Sequence, residues 1–300
     1  VNRSLSIKSD ILDASINGQY DLNTIVSYYK AIAKTYVPSL ETTIIKYNTQ
    51  IFNFRLNVKR FEPIAELVLP GLKIEDQALL IGNFDSRNNT ATLNGSIKKV
   101  SYKGITANNI IIDESTTSDQ LQAIITADRV DLNDSLYIKN VNIANLLRND
   151  SLSLNIKLSN ADDANQLDLN GLVEFASGVT AKISVLPSDL KINNEDWTIQ
   201  EKVSINFDQG KTQITNFDLS NGNQLVTVDG ILSDDPKDLL LVGFKNFNLK
   251  TLNPFFKTVG VKLSGNLNGK TQLYNVMKSV SLKDSLTIDS LGFNGTYIGN

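Results

Sequence analysis

The sequence predicts a mostly β protein, dominated by a long antiparallel sheet with a few short amphipathic helices. Three observations support this prediction. Apolar and polar residues alternate with a period of two over many short segments, which is typical of strands with one dry face and one wet face. Turn-forming residues separate these segments, and glycine recurs on the apolar face.

The alternating segments give the strands. Residues 51–59 place Phe52, Phe54, Leu56 and Val58 on one parity, with polar residues between them. The same pattern occurs at 121–127, 151–159, 167–175, 179–185 and 203–207. Short connections, such as Asn221-Gly222 and Asp235-Pro236, favour antiparallel pairing. We expect roughly 15 strands, which is many for one open sheet.

Residues 258–269 also alternate, and they raise the question of what covers their apolar face. Val259, Val261, Leu263, Gly265 and Leu267 share one parity, while polar residues and Gly260 occupy the other. No nearby segment has the length and periodicity of a helix that covers such a face. The apolar face therefore needs a second sheet, another part of the chain or a ligand.

Four segments are predicted to be helical. Residues 22–36 keep helical apolar spacing and end before Pro38, and Pro63–Leu69 begins with a proline at its first position. One or two helical turns are predicted at Asn142–Arg148 and Lys250–Lys257. The polar face of the first helix indicates that it lies on a surface and does not span a bilayer.

Glycine sits between larger apolar residues at several strand-like positions: Gly82, Gly95, Gly171, Gly230, Gly265 and Gly295. Glycine inside a strand marks a bend, a bulge or a close approach. One interpretation is a sheet that curls around a concave apolar surface. The other is the ordinary bending of hairpins and sandwiches, and the pattern alone favours the second.

The composition excludes several kinds of chemistry. The 300 residues include no cysteine and no histidine, so thiolate sites and imidazole bases are absent, and we expect no cofactor and no metal. The net charge of −3 gives no reason to expect a nucleic-acid partner. Acid pairs such as Asp113-Glu114 and Glu195-Asp196 lie between predicted strands, where turns favour them, so we expect no enzyme activity.

No signal peptide and no apolar stretch of about 18 residues is visible. We expect the sequence to be an internal piece of a longer chain. Within it, residues 1–300 are predicted to form one continuous segment. Residues 1–70 form a helix-containing region, and 71–300 a repetitive β region.

Three stretches resemble a known family: "VLPSDLKINNEDWTI" (185–199), "VDGILSDDPKDLLLVGFKNFNLKTLNPFF" (228–256) and "VKLSGNLNGKTQLYN" (261–275). They are similar to TamB-like translocation and assembly module proteins, which belong to the AsmA-like superfamily of bridge-type lipid-transfer proteins. The strand pair that leads to Pro-Ser and a Trp, and the "L-S-G-x-L-x-G" step, carry the resemblance. It extends over most of the chain, with degenerate motifs.

The resemblance implies a long sheet curled into an open apolar groove that carries phospholipid acyl chains between the inner and outer membranes. It implies a periplasmic location in a Gram-negative bacterium and a role in outer-membrane protein assembly. An Omp85-type outer-membrane barrel is the implied partner. Contact with that partner and with membranes is expected only through regions outside this sequence.

We expect the lipid-facing residues to be those with the most regular alternation: Phe52, Phe54, Leu56, Val58, Leu152, Leu154, Ile156, Leu158, Val259, Val261, Leu263 and Leu267. Several of them could instead pack against the predicted helices. The alternative to a groove is a structural β-sandwich, or an adhesin-like scaffold, in which two apolar faces cover each other in a sealed core.

Overall fold

The structure is a computed structural model that describes residues 2–24, 33–39, 49–60, 69–132, 137–160, 163–176, 181–208, 210–256 and 259–299. Within these ranges the chain is mostly β, as the sequence predicts, and forms twenty strands. The first nine are β1 (Arg3–Lys8), β2 (Leu12–Gln19), β3 (Ile51–Val58), β4 (Lys73–Asp85), β5 (Thr90–Tyr102), β6 (Ile105–Thr116), β7 (Leu121–Asp131), β8 (Tyr137–Arg148) and β9 (Ser151–Ser159).

The remaining strands are β10 (Gln166–Phe175), β11 (Ala181–Val185), β12 (Ser188–Ile192), β13 (Glu195–Ile199), β14 (Val203–Asp208), β15 (Lys211–Asn221), β16 (Gln224–Leu232), β17 (Leu239–Asn248), β18 (Leu263–Tyr274), β19 (Ser281–Phe293) and β20 (Thr296–Gly299). The sequence pattern predicted about 15 strands, which is fewer than the structure has. Short strands such as β12 and β13 are joined by two-residue turns, so the pattern does not show where one strand ends and the next begins.

Helical structure is scarce in the described residues. A helical stretch lies at 33–36, and a 3-10 turn at Leu249–Leu252 continues into one α-helical turn at Asn253–Phe256. The second of these confirms the helical turns predicted at 250–257, apart from residue 257, which lies outside the described residues. Residues 25–32 and 61–68, which hold most of the other two predicted helices, also lie outside them.

The helical prediction for Asn142–Arg148 is wrong, because these residues form the second half of β8. Ile143 and Asn145 pair across to β7, and Leu147 pairs with Leu121. Ile143, Leu146 and Leu147 have the i, i+3, i+4 spacing of a helix, but pairing with the neighbouring strands β7 and β9 determines the structure.

The chain divides into two compact units. Unit 1 comprises Val1–Asp162 with Phe175–Gly178, and unit 2 comprises Asp163–Glu174 with Val179–Asn300. In unit 1 the nine strands β1 to β9 form an antiparallel meander, in which each strand pairs with the next along the chain. Short hairpin connections join most of them, which is the simplest route to antiparallel order.

Unit 2 continues as a meander from β15 to β20, again antiparallel throughout. The free edge of β15 pairs with two strands: β14 along Lys211–Thr215 and β13 at Leu219 and Ser220. The hairpin β12–β13 then pairs with β10, and β14 pairs with β11. One long strand thus supports two short ones end to end.

The prediction of one regular strand over 258–269 is wrong in its first half. Val259 lies in a helical turn and Val261 precedes the strand, which begins at Leu263. Inside β18 the register shifts at Gly265, whose φ of +122° only glycine adopts readily. The regular alternation of the sequence therefore runs through a turn and a bulge, neither of which interrupts the polar and apolar pattern.

Candidate functional site

The sheet of unit 1 has an apolar face, here called the inner face, that carries the even-numbered residues of β3 from Phe52 to Val58. Cross-strand pairing places one residue from each of the nine strands in a continuous row along this face. Its members are all apolar, and this central row is Ile7, Ala14, Leu56, Leu80, Gly95, Ile112, Ile125, Ile143 and Ile156.

The central row is apolar but is not buried. Of its nine residues only Gly95 is buried. Ile7 is 48% exposed, and the other seven are partly buried. Ile112 and Ile125 lie on β6 and β7, well inside the sheet, where a second layer of structure buries such side chains completely in a sandwich. A partly exposed isoleucine row inside a nine-stranded sheet is therefore an incompletely covered apolar surface.

A shallow cavity of about 160 Å³ lies on this face at the first three strands. Its lining is almost entirely apolar and comes mainly from Leu5, Ile7, Ala14, Ile16, Phe54 and Leu56. The cavity thus lies on the central row and on the next row, and it continues the same apolar surface to the edge strand β1.

The opposite face of unit 1, the outer face, is mostly polar. On β3 it carries Asn53, Arg55 and Asn57, which alternate with the inner residues. Ile81, Ile111 and Ile124 are exceptions and are 40%, 50% and 46% exposed. Single exposed isoleucines are common on protein surfaces and do not form a continuous row. The two faces therefore differ in kind, as the alternation predicted.

One end of the inner face is closed by Tyr36, which lies in the long connection between β2 and β3. Tyr36 is 1% exposed and packs in a cluster with Tyr20, Phe52 and Phe84. The rings of Phe52 and Phe84 have centroids 5.2 Å apart. Leu5, Ile16 and Phe54 of the next row also pack against the cluster, whereas none of the described residues of the central row does.

The hydrogen bonds of Tyr36 connect it to three hairpin loops of unit 1. Its hydroxyl donates to the carbonyls of Thr117 at 2.9 Å and Asn89 at 3.4 Å, which belong to the β6–β7 and β4–β5 loops. Asp150, in the β8–β9 loop, donates its backbone N–H to the Tyr36 carbonyl at 3.0 Å. Three hairpin loops thus converge on one residue.

The row next to the central row contains two polar side chains, Glu114 and Asn145. Between the Tyr36 end and the central row, Glu114 pairs with Ala123, and Ala123 pairs with Asn145. Burial raises the pKa of the Glu114 carboxyl, and the charge of Asp113 adds to the effect. The sequence prediction placed Asp113 and Glu114 in a turn, and this is wrong. Both residues lie within β6, on opposite faces.

The second acid pair that was predicted to lie in a turn, Glu195-Asp196, also lies within a strand, at the start of β13. Glu195 accepts a hydrogen bond from the Thr251 hydroxyl at 3.3 Å. Alternation could have revealed both errors, since Glu114 and Glu195 each continue the parity of the apolar residues in their own strands.

The prediction that placed Gly295 on the apolar face of a strand is also wrong, because Gly295 lies in the turn between β19 and β20.

Unit 2 has an apolar cluster of a different kind. Trp197 is fully buried and packs with Phe247, Leu249 and Leu267. The Trp197 and Phe247 ring centroids are 5.8 Å apart. The 3-10 turn that begins at Leu249 follows β17 directly and is capped by the Asn248 side chain, which accepts from the Lys250 N–H at 3.0 Å. Trp197 is thus a packing anchor of unit 2.

The twelve predicted residues fall into three groups. The structure brings eight of them to the inner face of unit 1: four on β3 (Phe52, Phe54, Leu56, Val58) and four on β9 (Leu152, Leu154, Ile156, Leu158). Leu263 and Leu267 belong to the unit 2 cluster. Val259 is 68% exposed in a turn and Val261 lies before β18, so these two do not extend a strand face.

In the described part of the chain, no three or more acidic side chains gather as a metal site requires. None of the described helices has the length and apolar character needed to cross a bilayer.

Comparison with known proteins gives no match to a family model, to a curated protein or to a solved structure. The function of this chain therefore has to follow from its residues and their geometry.

Proposed function

We propose that this chain is a non-enzymatic lipid-binding and lipid-transfer segment that carries phospholipid acyl chains on the inner face of unit 1. The observation that carries the proposal is the partly exposed central row, with Ile112 and Ile125 inside a nine-stranded sheet. Monomeric proteins seldom expose a continuous apolar surface unless it binds something.

The energetics suit a flexible apolar ligand. An acyl chain gains about 0.8 kcal/mol for each CH2 removed from water, without any directed polar contact. The central row crosses nine strands, so at about 4.8 Å for each spacing it extends for roughly 40 Å. This length and the absence of polar groups in the row favour a long hydrocarbon chain over a compact ligand.

The sequence resemblance adds the cellular context of the proposal. We infer a segment of a cell-envelope bridge in the periplasm of a Gram-negative bacterium, with phospholipid as cargo. Support of outer-membrane protein assembly, and contact with an Omp85-type partner through regions outside this sequence, belong to the same proposal.

A sealed structural scaffold is the competing proposal, and one observation favours it. Trp197 and Val203 are 0% exposed, so part of unit 2 has a closed core of the kind expected in a sandwich. A scaffold of this type has no cargo, and its apolar residues stabilise the fold alone.

Native mass spectrometry with lipid extraction separates the two proposals. The protein is expressed in a Gram-negative periplasm and purified without detergent. We expect co-purified phospholipid, and we expect most of it to be lost in Leu154→Asp, which places a charge on the inner face of β9. Ser153→Asp is the matched control, because Ser153 is exposed on the opposite face.

Circular dichroism checks that each variant retains its β structure. If the folded wild-type protein carries no lipid and takes up none from vesicles, lipid carriage is wrong and the sealed scaffold is supported. If Leu154→Asp carries as much lipid as Ser153→Asp, the inner face is not the binding surface.

A further inference from the structure

Glu114 is an unexpected residue at its position. It lies on the inner face of β6, paired with Leu93 on one side and with Ala123 on the other. Along its own strand the neighbours on the same face are Ile112, in the central row, and the buried Thr116. A carboxylate in this position loses part of its hydration and gains nothing from its apolar neighbours.

The Glu114 carboxylate has no partner among the described residues. No hydrogen-bond donor or cation among the described residues pairs with it, and burial together with the charge of Asp113 accounts for its raised pKa. Asp113 is exposed on the outer face and is itself an acid, so it cannot neutralise Glu114. Partly buried charges in proteins are normally paired, so an unpaired one needs an explanation.

A second polar side chain lies in the same row. Asn145 on β8 pairs with Ala123, so Glu114 and Asn145 flank one small residue. At two strand spacings their Cα atoms lie about 10 Å apart. The methyl side chain of Ala123 leaves room between them, and no described residue is hydrogen-bonded to the Asn145 side chain. We call Glu114, Ala123 and Asn145 the polar notch.

We propose that the polar notch binds the ammonium group of an amphiphile whose hydrocarbon chain lies along the central row. An ammonium group has three donors and one positive charge, which match a carboxylate and an amide carbonyl. The notch is one row away from Ile112, Ile125 and Ile143. One molecule can therefore place its head in the notch and its tail along the central row.

The charge of the notch sets the ligand class. An anionic head such as a glycerol phosphate is repelled by Glu114, whereas an ethanolamine head offers the ammonium. The inference deepens the proposed function and rests on it, because it names the headgroup class of the same cargo. Within the phospholipids it selects aminophospholipids.

A competition experiment tests the inference. Purified, delipidated protein is incubated with vesicles that contain equal amounts of dioleoyl phosphatidylethanolamine and dioleoyl phosphatidylglycerol. Bound lipid is then quantified by mass spectrometry. We expect about a fivefold enrichment of phosphatidylethanolamine, the effect of one partly exposed charged hydrogen bond. Glu114→Gln should bring the ratio close to one while total lipid stays unchanged.

Two further variants make the result specific. Asp113→Asn removes the same charge from the outer face of the same strand and should leave the enrichment intact. Glu114→Lys should invert the preference toward phosphatidylglycerol, and circular dichroism establishes that it is folded.

Equal binding of the two lipids by the wild-type protein, or an unchanged preference in Glu114→Gln, overturns the polar notch and leaves lipid carriage standing. If no lipid of either kind binds, the proposed function and the polar notch both fail.

Discussion

The two units cover their apolar residues in different ways. In unit 2 the apolar cluster around Trp197 is covered by a segment close in sequence to one of its strands. The 3-10 turn at Leu249–Leu252 follows β17 directly and packs on Trp197. Unit 1 closes one end of its inner face with a distant residue, since Tyr36 bonds to Thr117, 81 positions along the chain. The result is a fully buried tryptophan in unit 2 and a partly exposed isoleucine row in unit 1.

The difference indicates that the apolar residues of the two units contribute differently to stability. A local turn fills the space above Trp197, so that part of the molecule gains stability from a closed core. In unit 1 the described residues 33–39 around Tyr36 cover one end of the strands. The apolar area that stays exposed contributes little to stability until something covers it. A surface with this property is suited to binding.

The largest effect is expected at the closed cluster. Trp197→Ala removes the central side chain of a packed core and should lower the free energy of unfolding by about 3–5 kcal/mol. Phe207→Ala is the control, because Phe207 is 50% exposed and its loss should cost less than about 1 kcal/mol. Urea denaturation measures both, and similar values for the two variants would contradict a closed core in unit 2.

A backbone constraint in the same unit gives the next largest effect. Gly265→Val should lower the free energy of unfolding by about 2 kcal/mol, because φ is +122° at this bulge. A Cβ there also meets Ile288 Cγ2 at 3.0 Å. Asn266→Val places the same side chain on the adjacent, exposed position of β18 and should be nearly neutral. Equal destabilisation by the two substitutions would argue against the bulge.

The Tyr36 contacts of unit 1 should be worth less. Tyr36→Phe removes the hydroxyl that bonds Thr117 and Asn89, so we expect a loss of about 1 kcal/mol in unfolding free energy. Amide hydrogen exchange should also become faster in the β6–β7 loop. Tyr20→Phe is the control, since Tyr20 packs in the same cluster without a described hydrogen bond. No difference between the two would show that the loops do not depend on Tyr36.

The smallest effect concerns the polar notch. The pKa of Glu114 is raised in the folded protein, so the unfolded state loses this proton first and stability falls as pH rises above the ordinary value of 4.5. Glu114→Gln should therefore be slightly more stable than wild type at pH 7, and this gain should vanish below pH 4.5. Thermal denaturation at both pH values measures the effect. A Glu114→Gln protein that is less stable at pH 7 would mean that the carboxylate has an internal partner.

Where alternation is strict and strands are joined by short turns, the sequence was sufficient. The predicted segment 151–159 is β9 itself, and 51–59 differs from β3 by one residue. The prediction failed at Val259 and Val261, because a turn and a glycine bulge preserve the alternation without preserving the strand. It failed at Asn142–Arg148 because pairing with the neighbouring strands β7 and β9 overrides the helical spacing of the apolar residues.

The candidate site was only partly predictable. The inner-face residues of β3 and β9 follow from parity, and so does the inward position of Glu114, which continues the parity of Ile110 and Ile112. The row that unites nine strands depends on cross-strand register, and the role of Tyr36 depends on hydrogen bonds between residues far apart in sequence. Neither leaves a local signal in the chain.

The most direct test of an open, lipid-carrying inner face is site-specific photo-crosslinking at two adjacent positions. A photoreactive benzoylphenylalanine replaces either Ile125, on the inner face, or Ile124, on the outer face and 46% exposed. After irradiation in a Gram-negative periplasm, mass spectrometry detects lipid adducts. We predict adducts at position 125 and none at position 124. Equal adducts at both positions, or none at position 125 in a folded protein, would contradict the account.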